Sequence, residues 1–166
     1  MPDPSVTADL VDRIQSEWTH RYPDHDARPI AVLGRITRIA SLAGHRLDRN
    51  LESYGVSRSE FDVLGALARS DRPLRASEVV STTMLSGASI TKLGDTLARR
   101  GLLRREKSER DGRVVLLALT DDGRRLVDEV FPLRLADDER ALGALDPQER
   151  EVLANLLRKV SSALEV

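Results

Sequence analysis

The sequence predicts a mainly α-helical fold with one small β wing, and three observations predict it. Hydrophobic residues make up 40% of the chain but aromatics only 3%, so the core must be built from Leu, Val, Ile and Ala, which favours helices over an aromatic-rich β sandwich. Apolar residues recur at helical spacing through most of the chain, in stretches bounded by capping residues and glycine stops. The period switches to that of strands in one place, between Leu102 and Leu119.

Each element follows from its own signals. Residues 1–6 read as loose. Thr7 to about Arg21 reads as a short helix, with Leu10, Val11, Ile14 and Trp18 at helical spacing. Tyr22 to Pro29 holds two prolines and reads as a linker or turn. A long helix is predicted from Ile30 to about Tyr54, with an apolar stripe of Ile30, Leu33, Ile36, Ile39, Ala43, Leu47 and Leu51 and a stop at Gly55. Ser57-Arg58-Ser59-Glu60 is a capping box, and Phe61, Leu64, Leu67 and Ala68 follow on one face of a helix ending near Ser70. After an Asp71-Arg72-Pro73 turn, Ala76 to Thr82 reads as a short helix. Ser86 then caps a helix to Arg100, which Gly101 stops. Two helices joined by a tight turn are a helix-turn-helix candidate.

Leu102 to Lys107 and Val114 to Leu119 read as strands, and Asp111-Gly112 between them predicts a tight hairpin turn. The tip is charged, with Lys107, Glu109, Arg110, Asp111 and Arg113. Thr120 caps a long helix from Asp121 that Pro132 is expected to bend rather than end. Asp146-Pro147-Gln148-Glu149 opens a last helix carrying Val152, Leu153, Leu156, Leu157, Val160 and Leu164. The fold expected is therefore a winged helix-turn-helix with apolar helices on both sides.

Composition removes several function classes. No cysteine is present, which excludes disulfides and thiolate metal sites. His20, His25 and His45 show no metal-ligand spacing, and neither a metal nor a cofactor is expected. No apolar run approaches the roughly 18 residues of a membrane span. Met1-Pro2-Asp3-Pro4 has neither the basic nor the apolar region of a signal peptide, so a soluble cytoplasmic protein is expected. A Gly-rich phosphate loop, a G-x-S-x-G elbow and a His-x-x-x-His pair are all missing, and no enzyme is expected.

Charge is distributed unevenly. Net charge is −1, yet the segment from Arg72 to Arg113 holds ten Lys and Arg against five Asp and Glu, leaving it at +5 and the rest of the chain at −6. A basic segment on an acidic protein suits a phosphate-binding surface; by charge alone an ordinary solvated face fits as well. On the helix from Ser86, Ile90, Leu93, Gly94 and Leu97 gather on one side, and Ala88, Thr91, Lys92, Asp95 and Arg99 on the other. Small and polar residues near the start of a helix permit close approach to base edges in the major groove, and the free N–H groups there suit a phosphate. A charged hairpin tip directly after such a helix can reach the minor groove or neighbouring phosphates.

Taken in order, Leu74-Arg75-Ala76-Ser77-Glu78-Val79-Val80, Leu85 to Leu93, Leu97 to Arg105, the wing Glu109-Arg110-Asp111-Gly112-Arg113 and Leu119-Thr120-Asp121-Asp122-Gly123 resemble the MarR family. The resemblance runs from about Ile30 to the C-terminus. It implies a homodimer with interlocking terminal helices, binding to a pseudo-palindromic double-stranded DNA operator, and release by a small ligand. The division it implies is 1–54 for an extra helix and the first dimerisation helix, 55–120 for the DNA-binding region and 121–166 for the C-terminal dimerisation helices. Carried over by position, Ser86, Gly87, Ser89, Thr91 and Lys92 face the major groove, and Lys107, Arg110, Asp111 and Arg113 serve the wing, where the acid orients the arginine. Arg75 replaces the usual Ser or Thr cap, leaving a weaker cap or a phosphate contact. Gly112 stands where a second tip arginine is frequent.

The helix ahead of the long one is an addition to the minimal family pattern, and with Trp18 it resembles the urate-responsive branch. That resemblance implies a ligand read by Trp18, Asp62 and Arg105. The branch's other arginine falls on Leu93, so an anionic purine loses a charge-assisted hydrogen bond and a less anionic aromatic effector is expected. The alternative is that Trp18 packs the added helix onto the body and Asp62 pairs with a nearby arginine. The function expected is a sequence-specific DNA-binding repressor; the alternative is a winged-helix protein-interaction module without specific DNA binding.

Overall fold

Capping chemistry sets most element boundaries in the computed structural model, which describes residues 7–108 and 111–165. In chain order the elements are α1 (Leu10–Arg21), α2 (Pro29–Glu52), α3 (Arg58–Ala68), β1 (Leu74–Arg75), α4 (Ala76–Thr82), α5 (Gly87–Arg99), β2 (Leu103–Lys107), β3 (Val115–Leu119), α6 (Asp121–Ala141) and α7 (Pro147–Leu164). The chain divides within α2 into two compact units, Met1–Arg46 and Leu47–Val166. The mainly helical fold with a small sheet is as the sequence predicts. No helix among the described residues is long and apolar enough to cross a membrane.

In the first unit, α1 begins three residues later than its periodicity suggested, because Asp9 caps it. Asp9 Oδ1 accepts the N–H groups of Val11 and Asp12 at 2.7 and 3.1 Å, and Asp12 accepts the Asp9 N–H at 2.8 Å. Arg35 of α2 grips both acids, at 3.1 Å to Asp9 and 2.7 Å to Asp12. Its guanidinium holds the Asp12 carboxyl below the usual range. Val11 is buried beneath this clamp against Gly34, where a Cβ would stand 3.0 Å from Val11 Cγ1. Pro29, expected in the linker, is the first residue of α2, where its missing N–H costs nothing.

The second unit holds a core centred on Leu51, Val63, Leu64, Val79, Ile90, Leu97, Leu103 and Val130. α2 stops at Glu52, earlier than predicted, and the Tyr54 and Gly55 N–H groups close a tighter turn onto Leu51 and Glu52. Gly55 takes the left-handed conformation (φ 62°) expected of a helix stop. The Ser57–Glu60 box forms, and buried Glu60 is further tied to Arg100 at 3.4 Å. One strand has no counterpart in the sequence reading. Leu74 and Arg75 pair antiparallel with Leu117 and Leu116, so the sheet has three strands in the order β1-β3-β2.

The hairpin grows directly out of the end of α5. The Gly101 N–H reaches Ala98 O and the Leu102 N–H reaches Leu97 O, both at 3.0 Å, and Gly101 sits at φ 71°. This is the Schellman arrangement that satisfies the last carbonyls of a helix. Thr120 locks α6 onto the same turn. Its hydroxyl donates to Gly101 O at 2.6 Å and accepts the Gly123 N–H at 3.1 Å, while its own N–H donates to Leu102 O at 3.3 Å. A Cβ on Gly123 would fall 1.9 Å from Leu102 O. The Leu-Thr-x-x-Gly stretch is therefore a cap combined with a backbone approach that only glycine permits.

Helix α6 continues through Pro132, and the turn into α7 is held by Arg150, which bonds Glu139, Leu142 O and Leu145 O at 2.7–3.1 Å. No residue of α7 is buried. Replacing Gly123 with Ala must displace either the α6 start or the Gly101–Leu102 turn, and overpacking of this kind costs about 1–3 kcal/mol or more. Gly123→Ala is expected to lower the urea midpoint accordingly, with unchanged helical content before the transition. A midpoint equal to native would show that the junction yields freely.

Candidate nucleic-acid interface

The helix-turn-helix consists of α4, the turn at 83–86 and α5. Ser86 caps α5: its Oγ accepts the Ser89 N–H at 3.2 Å and shares a 2.9 Å hydrogen bond with Ser89 Oγ. Ile90, Gly94 and Leu97 are buried beneath the helix. Gly87, Ala88, Thr91, Lys92, Asp95 and Arg99 face solvent. A Cβ on Gly87 would meet nothing within 4 Å, so the surface at the first turn of α5 is locally open. The Thr91 hydroxyl donates to Gly87 O at 3.1 Å, and the residue is exposed. The Lys92 ammonium makes no hydrogen bond or ion pair among the described residues.

The first helix of the motif is capped in an unusual way. Arg75 occupies the N-cap position, and its N–H donates to Glu78 Oε2 at 2.8 Å. The Arg75 side chain takes no part in the cap, so Glu78 supplies the capping side chain alone. Arg72 closes on the same carboxylate at 2.5 Å, and the two together hold the Glu78 carboxyl down at about 2, the Arg72 guanidinium contributing most. A groove of about 840 Å³ runs past Arg72, Arg75, Glu78 and Glu106. The Arg75 guanidinium is exposed and unpaired there among the described residues.

The wing pairs Leu103 with Leu119 through to Lys107 with Val115, and the Ser108 N–H extends the ladder to Val114 O at 2.9 Å. The tip carries a tight turn at Asp111-Gly112. Val114 N–H donates to Asp111 O at 2.9 Å, closing a turn at the end of a longer connection, and Gly112 is not at positive φ. A two-residue type I′ turn needs positive φ at both central positions, so the tight turn that forms from Asp111 to Val114 is of another type. The acid also acts differently: Asp111 Oδ1 accepts the backbone N–H of Arg113 at 3.0 Å. The guanidinium of Arg113 and the ammonium of Lys107 are exposed and unpaired among the described residues. Glu109 and Arg110 lie outside the described residues.

The three residues of the expected ligand set are placed as follows. Trp18, in the first unit, is 50% exposed and stacks on Tyr22 at 5.4 Å, with His25 edge-on to Tyr22 at 6.1 Å. Asp62, on α3 of the second unit, is half-buried and pairs with no arginine among the described residues. Arg105, on β2, turns to α5, where Nη2 lies 2.8 Å from Asp95 Oδ1 and 3.4 Å from Thr91 O. Leu93 is half-buried. The sequence reading missed Asp95 as a structural partner; its signal was an acid on an otherwise small, polar and basic helix face, followed within one turn and a strand by two arginines.

The family model described as MarR family matches residues 54–114. The HTH-type transcriptional regulator PecS of Dickeya dadantii is 31% identical over 156 residues, covering 93% of this chain and 94% of that protein. Among solved structures, Bordetella bronchiseptica BpsR, whose DNA binding is regulated by 6-hydroxynicotinic acid, superposes with a TM-score of 0.69 at 29% identity, over 78% of this chain and 92% of that one. The Staphylococcus aureus MepR–DNA complex shares the fold, with a TM-score of 0.72 at 22% identity, over 78% of this chain and 94% of that one.

Proposed function

Because the chain belongs to the MarR family of winged-helix transcriptional regulators, a family of DNA-binding regulators and not of enzymes, we propose that it is a homodimeric repressor which reads a pseudo-palindromic operator and is released by a small aromatic effector. One observation carries the DNA-reading part. The open first turn of α5 presents Gly87, Ser89, Thr91 and Lys92, and the wing adds Lys107 and Arg113; all three cations are unpaired among the described residues. Free cations beside small residues are what phosphate contact and groove entry need. Arg75 and the wing tip, including Arg110 and Asp111, complete the proposed contact set.

The dimer reading rests on the C-terminal helices. Val152, Leu153, Leu156, Leu157 and Leu164 of α7, with Phe131, Leu133 and Leu135 of α6, are all exposed in the chain. These side chains are already partly covered, so burying the exposed remainder of each contributes about 1 kcal/mol, and exposed apolar patches of this kind mark interaction surfaces. A second copy of the chain is the occupant proposed, since two bound copies match the two half-sites of a palindrome. The effector reading rests on the ligand control recorded for BpsR and on the half-exposed Trp18 indole of the first unit, which is open to an aromatic molecule.

The deciding experiment selects duplexes from a random pool with the purified protein and measures anisotropy against the selected and a scrambled duplex over a salt series. Specific, steeply salt-dependent binding supports the regulator. Absence of any selected sequence would favour the interaction-module alternative. Lys92→Ala is expected to weaken the selected duplex more than the scrambled one, by about 1–3 kcal/mol if it reads a base; equal loss on both would make it a phosphate contact. Arg113→Ala is expected to weaken both and to reduce the salt slope by about 1.

Leu156→Glu is expected to convert a species of twice the chain mass into one of chain mass in light scattering. A well-folded variant of native mass would place the interface elsewhere. Trp18 is the only tryptophan, so its emission reports directly on effector binding. Titration with small aromatic metabolites, 6-hydroxynicotinic acid among them, is expected to quench that emission and release the selected duplex together. In Trp18→Phe, release at unchanged effector concentration would remove Trp18 from the response.

A further inference from the structure

The outward face of α5 carries one charge that opposes its proposed task. Asp95 stands one turn beyond Thr91 with its side chain 54% exposed. A carboxylate there faces the same solvent as Lys92 and repels the phosphates that Lys92 attracts. The structure does not leave it alone. Arg105 reaches from β2 across to α5, with Nη2 at 2.8 Å from Asp95 Oδ1 and 3.4 Å from the Thr91 carbonyl. Its path runs over Gly94, where a Cβ would stand 3.4 Å from the same nitrogen. The guanidinium therefore lies close on the helix backbone and engages two successive turns of it. Arg105 is also fixed at its own end, in register opposite buried Leu117.

We infer that Asp95 and Arg105 form a charge clasp that sets the recognition helix against the wing, and that Arg105 is a positioning residue for operator binding rather than a DNA contact. This rests on the DNA-reading function proposed above. The clasp does two things at once. It ties α5 to the strand leading to the wing tip, so that the helix and Lys107 meet the duplex at a fixed spacing. It also neutralises the one acid among the outward residues of α5, so that the groove-facing surface is basic only while the clasp is closed.

The two roles predict opposite effects from the two halves of the pair. Asp95→Asn removes a negative charge, so affinity for the scrambled duplex is expected to rise, while the freed helix lowers the preference for the selected duplex. Arg105→Gln leaves the carboxylate exposed and is expected to weaken the selected duplex by about tenfold or more. The double variant Asp95→Asn/Arg105→Gln is expected to regain most of that loss. All three are measured by anisotropy on the wild-type-selected duplex and its scramble over a salt series, with thermal melting alongside. The clasp predicts native-like melting and an unchanged salt slope for Arg105→Gln.

A double variant as weak as Arg105→Gln, with the slope reduced by about 1, would make Arg105 a phosphate contact and overturn the inference. So would Arg105→Gln binding like wild type, or affinity lost only in step with melting temperature. Should Arg105→Gln not fold, Asp95→Asn carries the test by itself, since a purely structural role does not raise affinity for scrambled DNA. If wild type selects no duplex, the regulator reading and the clasp fall together; if it does and the cycle shows no coupling, the clasp falls alone.

Discussion

Three elements around the helix-turn-helix and wing diverge from one short piece of backbone, the left-handed turn at Gly101. There the end of α5, the start of β2 and the first turn of α6 share their hydrogen bonds: the Gly101 and Leu102 N–H groups close α5, and the Thr120 hydroxyl and N–H donate to the turn's free carbonyls at Gly101 and Leu102. Buried polar backbone must find partners, and here each partner is supplied by the next element along. The absence of a Cβ at Gly123 lets α6 sit on that backbone. The direction of α5, the wing and α6 is thereby set by one junction rather than by three separate packing surfaces.

Electrostatics refine what that junction sets out. Most acids in the region are held internally: Glu60 by Ser57 and Arg100, Glu78 by Arg72 and the Arg75 N–H, Asp95 by Arg105, Glu106 by Arg104, and Asp111 by the Arg113 N–H. Asp62 and Asp71 are the exceptions, and Arg69, Arg75, Lys92, Arg99, Lys107 and Arg113 form no ion pair among the described residues. Individually, exposed ion pairs contribute little to stability. Their effect here is on the surface: holding most acids internally leaves local positive charge exposed on a chain whose net charge is −1.

Much of this was legible in the sequence, because the signals were local. The Ser57, Ser86, Thr120 and Asp146 caps and the Gly55 and Gly101 stops each depend on a handful of neighbouring residues, and all appear where expected. What escaped was non-local. Two-residue β1 is too short to show a period, and it exists only because β3 offers an edge. At the wing tip Asp-Gly signalled the turn but not its type, because the ladder ends at Ser108 and Val114 and leaves a longer connection than a two-residue hairpin. The start of α1 was misplaced because Thr7 fits the periodicity, while the Asp9–Asp12–Arg35 network decides the cap. For the site, residue types on α5 were readable from spacing alone. The engagement of Arg105 was not, since it depends on how β2 crosses a helix ten residues upstream.

Helix α7 is 18 residues long and buries none of them within its own chain. Helices in proteins owe most of their stability to packing of an apolar face rather than to propensity. In the homodimer proposed above, the surface that covers α7 supplies part of the free energy that keeps it helical, and by mass action that supply grows with the concentration of the partner. On that proposal the ordering of the C-terminal tenth of the molecule is a property of the population and not of the single chain: dilution erodes it and abundance restores it, so the cellular amount of the protein becomes one of the variables that govern its shape.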